Sequence, residues 1–165
     1  MLFWRSLAFA DVAQEDFSQR LNEMPEGWLQ AMGITITKAT ADEVRAEMTV
    51  GPQHLQGYGI VHGGVHCGMI ESLASIGAAL YALPRSQTVV GLENNTSFIR
   101  AVRAGATLRA VATPITRGRK TQVWDAKVED GDGRVVATGR VRLLVLEKEE
   151  ALAGQQVRGP LHPPA

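Results

Sequence analysis

From Val61 to Leu83 the sequence VHGGVHCGMIESLASIGAALYAL carries one acidic residue, Glu71, and no Asp, Lys or Arg. A carboxylate can serve as a nucleophile or as a general base. Upstream of it, Gly63 and Gly64 follow His62. The first N–H groups of a helix lack internal partners and carry the positive end of its dipole, and glycines let a ligand come close to that backbone. A thioester carbonyl held there would be polarised as in an oxyanion hole. Together the glycine pair and Glu71 describe an acyl-transfer site, with an activator for the electrophile and a base or nucleophile beside it. Each has a plainer reading: a tight turn for the glycines, a wet helix face for the glutamate.

The surrounding residues decide against the wet face. The run after Gly64 is free of Pro and rich in Ala, Leu and Met, which predicts a helix stopped by Pro84. At roughly 100° per residue, Val65, Met69, Leu73, Ile76 and Leu80 form one apolar face. The opposite arc holds Cys67, Gly68, Glu71, Ser75, Ala78 and Ala82. A solvated face would carry Lys, Arg and several Glu. This one holds a single carboxylate among small side chains, as where something approaches the helix closely. A lone carboxylate on a helix wrapped from most sides is costly unless a cleft or a partner solvates it.

The same stretch raises metal binding, since His62 and His66 lie four apart with Cys67 and Glu71 nearby, and such a pair on a helix can hold zinc. The helix starts at His62, however, and Glu71 lies about 140° from His66 on a helical wheel. No metal site is expected.

The 165 residues suit one domain, and a hydrophobic content of 45% suffices for a sizeable core. Net charge is zero, so nothing biases the whole chain toward nucleic acid or a membrane surface. Basic residues nevertheless outnumber acidic ones 11 to 5 between Arg100 and Lys148, a balance that could hold an anionic ligand. The single cysteine, Cys67, excludes an intramolecular disulfide framework and fits a reducing, cytoplasmic location. No apolar run of about 18 residues is free of small or polar interruption, so no membrane span is expected. The start, MLFWRSLAFADVAQED, lacks a basic leader and is split by Arg5, so it reads as a mobile or docked N-terminus rather than a signal peptide.

In chain order, Val12 to Met32 reads as an amphipathic helical region interrupted at Pro25 to Gly27 and ended by Gly33. Ile34 to Ala39 and Val44 to Val50 read as a hairpin, with Val44, Ala46, Met48 and Val50 facing inward. The loop GPQHLQGYGI brings His54, Gln56 and Tyr58 near the helix start. After Pro84, strands are expected over Thr88 to Val102, Thr107 to Thr116, Thr121 to Glu129 and Val135 to Leu146. Their short links, including the turn DGDGR, predict an antiparallel meander. The pattern is α+β: an antiparallel β-sheet wrapped around a long central helix. Residues 1–32 form an N-terminal extension and helix, 33–148 the domain, and 149–165 a disordered tail.

GIVHGGVHCGMIESLAS, VVGLENNTSFIRAVRAG and RGRKTQVWDAKVEDGDGRVVATG together resemble the hotdog-fold acyl-CoA thioesterases. The resemblance spans roughly residues 33–146. It is nearest to the branch with a helix Glu, which includes 4-hydroxybenzoyl-CoA and 1,4-dihydroxy-2-naphthoyl-CoA thioesterases and phenylacetate-pathway relatives. It implies hydrolysis of aryl- or medium-chain acyl-CoA, with Glu71 as nucleophile or general base and the Gly63 N–H polarising the carbonyl. Gln56 matches a Gln that helps position the thioester, His62 a supporting His, and Ser75 a hydroxyl that orients the attacking water. Coenzyme A is then part of the substrate and no further cofactor is implied. A second branch uses an Asp near the helix start, and none occurs from Gly51 to Leu83. A non-hydrolytic hotdog protein, either a hydratase or an acyl-CoA-binding regulator, is the rival. The former needs a different Asp and His arrangement, and the latter an added nucleic-acid-binding segment, which is not visible. Arg100, Arg117, Arg119 and Lys120 are the candidates for the CoA phosphates.

The spacing of Gly63 and Glu71 adds a constraint. Eight residues on one helix are about 12 Å along its axis, and the backward lean of the Glu side chain recovers only part of that. One carbonyl cannot sit about 3 Å from both groups of one chain. A homodimer with antiparallel helices, which the resemblance also implies, often paired into a homotetramer, would share each site between subunits.

Overall fold

A computed structural model describes residues 15–24, 27–147, 150–152 and 154–156. The expectations for the first 11 residues lie outside these. Helices α1 (Ser18–Asn22) and α2 (Trp28–Ala31) lead into strands β1 (Thr35–Ala39) and β2 (Val44–Thr49). A 3-10 turn (Pro52–His54) precedes the long helix α3 (Gly63–Ala82), and strands β3 (Thr88–Phe98), β4 (Thr107–Arg117), β5 (Thr121–Glu129) and β6 (Val135–Leu146) follow. A hairpin of β7 (Ala151–Leu152) and β8 (Gln155–Gln156) lies within the stretch expected to be a disordered tail.

The sheet is antiparallel throughout, in the order β1-β2-β4-β5-β6-β3. It wraps α3, whose Val65, Met69, Leu73 and Leu80 are buried with Trp124, Val128, Val141 and Leu143 of the strands. The expected inward set of β2 is buried and Arg45, Glu47 and Thr49 are exposed. By length and composition Gly63–Arg85 could cross a membrane. In this fold the segment is the core helix, and its apolar face is spent on the sheet.

The four-strand meander needs correction. Only β4, β5 and β6 are consecutive neighbours, and β3 pairs with β6 at the far edge. The strand after Pro84 also ends earlier than expected, at Phe98. Residues 99–106 run across the end of the sheet instead. Ile99 and Arg100 N–H donate to Val136 O, Val102 O accepts from Val61 N, and Ala106 O accepts from Val50 N. A short link implies adjacency only when both ends stay in the ladder, and this one leaves it.

The two sheet edges differ. On β1, Asn22 Nδ2 donates to Ile36 O, Asn22 Oδ1 accepts from Ile36 N, and Asp16 Oδ1 accepts from Ala39 N. Those side chains occupy the polar groups of that edge. The outer edge of β3 has no strand beside it among the described residues, and Leu92, Phe98 and the neighbouring Ile99 are exposed there. A long open edge with apolar side chains is a template for another strand.

Gly68, on the small-residue face, and Gly77, on another side of the helix, are both explained by packing. A Cβ at Gly68 would lie 2.4 Å from the Trp28 ring, and one at Gly77 would lie 2.3 Å from the Trp124 ring. What approaches the helix at these points is the chain's own tryptophans. Trp124 is fully buried, donating from Nε1 to Gln122 Oε1, while Gln122 Nε2 donates to Ala78 O. Gly77→Ala should therefore destabilise. Overpacking a core costs about 1–3 kcal/mol, against the ~1 kcal/mol that Ala gains over Gly in a helix. The net loss of up to about 2 kcal/mol corresponds to a drop in Tm of up to roughly 8 °C in a thermal melt, and an unchanged Tm would mean the indole yields freely.

Candidate active site

The site begins where α3 begins. His62 is its N-cap, and His62 Nδ1 accepts from Gly64 N at 2.9 Å. That leaves the Gly63 N–H with no acceptor among the described hydrogen bonds. His62 therefore supports the helix start by capping it, leaving the preceding donor free. Buried His54 holds the approach loop. Its Nδ1 accepts from Gly51 N at 2.8 Å, its Nε2 lies 3.0 Å from Met32 O, and its backbone O accepts from His62 N. Facing a carbonyl, Nε2 must carry the proton.

A cavity of about 350 Å³ opens at this point, lined by Gln56, His62, Gly63, His66, Phe98 and Arg100 among others. The Gln56 backbone is fixed by the turn, with Gln56 N donating to Ile60 O and Gly59 N donating to Gln56 O. Phe98 lies over Gly63, where a Cβ would be 2.7 Å from the ring. The ring fills the space that a side chain at position 63 would take. His66 is 3% exposed, its Nδ1 is buried without a partner, and its ring centroid lies 6.2 Å from that of Phe98. Burial pushes the His66 pKa down, so at neutral pH it presents a neutral imidazole to the cavity.

Further along α3, Glu71 is half-buried between the helix and β3. Asn94 Nδ2 donates to Glu71 Oε2 at 3.0 Å and to Cys67 O at 3.1 Å. Thr96 Oγ1 donates to Asn94 Oδ1 at 2.6 Å. Ser75 Oγ reaches Glu71 Oε1 at 3.4 Å, the long limit of a hydrogen bond. On the strand, Gly91 makes room for the carboxylate, since a Cβ there would lie 2.4 Å from Glu71 Oε1.

A bulge in β3 makes this arrangement. Gly91 pairs with Leu143 and Glu93 with Arg142, so Leu92 is an extra residue in the ladder. In a regular strand, positions 91 and 94 would face opposite ways. The bulge shifts the alternation by one and turns both toward Glu71. Sequence reasoning missed Gly91, Asn94 and Thr96 for this reason. The cue was the polar run GLENNTS inside an apolar strand, but its facing could not be read without the bulge.

The basic candidates separate. Arg100 lines the cavity at Gly63. Arg117 is engaged elsewhere: its Nη1 donates to Ala41 O and to Asp42 Oδ1 at 2.7 Å, and its guanidinium stacks on Tyr81 at 4.4 Å. Lys120 lies 3.9 Å from Glu150, and Arg119 is exposed in the same turn. Tyr81 sits near the end of α3, roughly 27 Å along the helix from Gly63. One chain does not bring Arg100 and the turn together. Of the apolar residues near these groups in the sequence, Met69 and Ile70 are fully buried in the core, whereas Tyr58 is 86% and Phe98 58% exposed. Among the described residues no three His, Cys, Asp or Glu side chains form a metal-ligand group.

Residues 58–137 match the family model described as the thioesterase superfamily. An esterase candidate of Mycobacterium tuberculosis is 42% identical over 70% of this chain and 84% of its own. Its solved structure superposes with a TM-score of 0.71 at 41% identity, covering 74% of this chain and 98% of that one. The 1,4-dihydroxy-2-naphthoyl-CoA hydrolase of Escherichia coli is 32% identical over 78% of this chain and 93% of its own. A thioesterase structure from Haemophilus influenzae gives a TM-score of 0.71 at 29% identity, covering 91% of this chain and 98% of that one.

Proposed function

Because the chain belongs to the thioesterase superfamily and is a hotdog-fold thioester hydrolase, we propose that it cleaves aryl- or medium-chain acyl-CoA using Glu71 and the Gly63 N–H. The observation that carries this reading is the pair itself: a half-buried carboxylate held by Asn94, and a helix-start N–H left unbonded beside a cavity. The N–H stabilises charge that develops on the carbonyl oxygen. Glu71 either attacks the carbonyl carbon, forming an anhydride as the C–S bond breaks, or takes a proton from the water that attacks. In both routes CoA leaves as thiolate and is protonated. In the first, water then hydrolyses the anhydride to the free acid and the Glu71 carboxylate, and in the second the attacking water supplies the new oxygen of the acid. Gln56 positions the thioester from the cavity wall, and Ser75 orients the water beside Glu71.

The open edge of β3 supports a shared site. The strand that touches Glu71 through Gly91 and Asn94, and Gly63 through Phe98, is the one whose outer edge has no strand beside it among the described residues. A second copy added on that edge about a two-fold axis brings an antiparallel α3 alongside. With Gly63 of one copy level with Glu71 of the other, the second copy's Arg117–Lys120 turn lies about 15 Å beyond Gly63. An extended pantetheine arm would run in that direction.

The test is thiol release from benzoyl-CoA and from a panel of aryl and medium-chain acyl-CoAs, followed with a thiol reagent and compared as kcat/KM. Turnover of at least one class is expected. A folded protein that releases no thiol from any member would end this reading. For the nucleotide end, Arg119→Ala combined with Lys120→Ala should raise KM for acyl-CoA severalfold. A pantetheine thioester lacking the nucleotide should be little affected. Added salt should shrink the difference, because exposed charges are screened. Equal losses on both substrates would place the turn's effect elsewhere.

A further inference from the structure

We propose that Asn94 is the positioning residue for Glu71, pinning Oε2 so that Oε1 is the oxygen that acts. The proposal rests on the catalytic reading of Glu71. Three acceptors or donors fix the Asn94 amide: Glu71 Oε2 at 3.0 Å, Cys67 O at 3.1 Å and the Thr96 hydroxyl at 2.6 Å. Both hydrogens of the NH2 group are used. The orientation is forced, since a flipped amide would set its oxygen against a carboxylate and a carbonyl. Thr96 completes the lock by donating to Oδ1. It occupies space cleared on β6, where a Cβ at Gly139 would lie 2.9 Å from Thr96 Oγ1.

The two carboxylate oxygens are thereby made unequal. Oε2 accepts a well-formed hydrogen bond from a group anchored to the helix one turn earlier and to Thr96 on its own strand. Oε1 has only the 3.4 Å contact to Ser75 and faces the gap left by the missing side chain of Gly91. A free carboxylate on a three-torsion side chain samples many rotamers, and each reduces the fraction of time in attack geometry. Anchoring one oxygen removes that freedom while leaving the other with lone pairs open, whether it takes a proton or forms a bond.

The test separates positioning from mere support. Asn94→Asp keeps the shape, removes the donor and sets a second carboxylate against Glu71. Asn94→Ala removes the group altogether. Both should lower kcat about tenfold to a hundredfold, the scale of a lost hydrogen bond to a charge. KM should change less than about twofold, and the loss should disappear in the Glu71→Ala background, where nothing remains to be aimed. Thr96→Val should give a smaller fall in kcat, most of it recovered by Thr96→Ser, which keeps the hydroxyl. Folding is checked by melting temperature, and Asn94→Asp serves if Asn94→Ala unfolds. Unchanged kcat in Asn94→Asp, or the same fractional loss with and without Glu71, overturns the proposal. A fully active Glu71→Ala enzyme instead removes the catalytic reading itself, and the positioning role with it.

Discussion

Glu71→Ala is expected to lower kcat by at least about a hundredfold while the fold is retained, the scale of losing a catalytic base or nucleophile. The carboxylate is half-buried and makes one firm hydrogen bond, to Asn94, and one long contact, to Ser75. The core of α3 is built by Met69, Leu73 and Leu80 on another face. Truncating Glu71 leaves that core intact and frees an Asn94 amide that still has Cys67 O and Thr96 as partners. Circular dichroism and melting temperature should thus stay near wild type while turnover collapses. Near-normal kcat in this folded variant would remove Glu71 from the chemistry.

The second large effect is complementation between two inactive variants. Gly63→Pro removes the free N–H. Proline is tolerated at a first helical position, and His62, at ψ 135°, already has the extended backbone that a residue before proline needs. Phe98 must move away from position 63, which its 58% exposure permits. Alone, Gly63→Pro and Glu71→Ala should each be nearly dead. Mixed dimers hold one site in which both groups are wild type. Random reassortment makes half the dimers mixed with one working site of two, so up to about a quarter of wild-type activity should return. A mixture shown by native mass spectrometry to contain mixed dimers, yet as dead as either parent, would show that each site is made within one chain.

What could be read in the sequence was what repeats along one element. The spacing of Val65, Met69, Leu73 and Leu80 gave the helix and its buried face, and the absence of other charges gave Glu71 its half-buried position. Alternation over Val44 to Val50 gave the hairpin's inner face. What stayed hidden depends on partners distant in the chain. The place of β3 at the sheet edge rests on pairing with β6, and the intervening residues 99–106 leave the ladder. The facing of Asn94 rests on an extra residue at Leu92. Gly68 on the small-residue face suggested a ligand's approach, but an aromatic ring from another element leaves the same mark on a helix as a substrate does.

Gly91 carries a consequence for how this chain can diverge. Its missing side chain is the space into which Glu71 Oε1 projects, so the two positions are tied although they lie on different elements. If Glu71 acts as proposed, a lineage that keeps the chemistry keeps glycine at 91, because a side chain there pushes the acid aside. Once the acid is lost, nothing local holds that glycine in place, and drift can fill the gap. Side chains accumulating at position 91 would then record the loss of the chemistry, and close the road back to it.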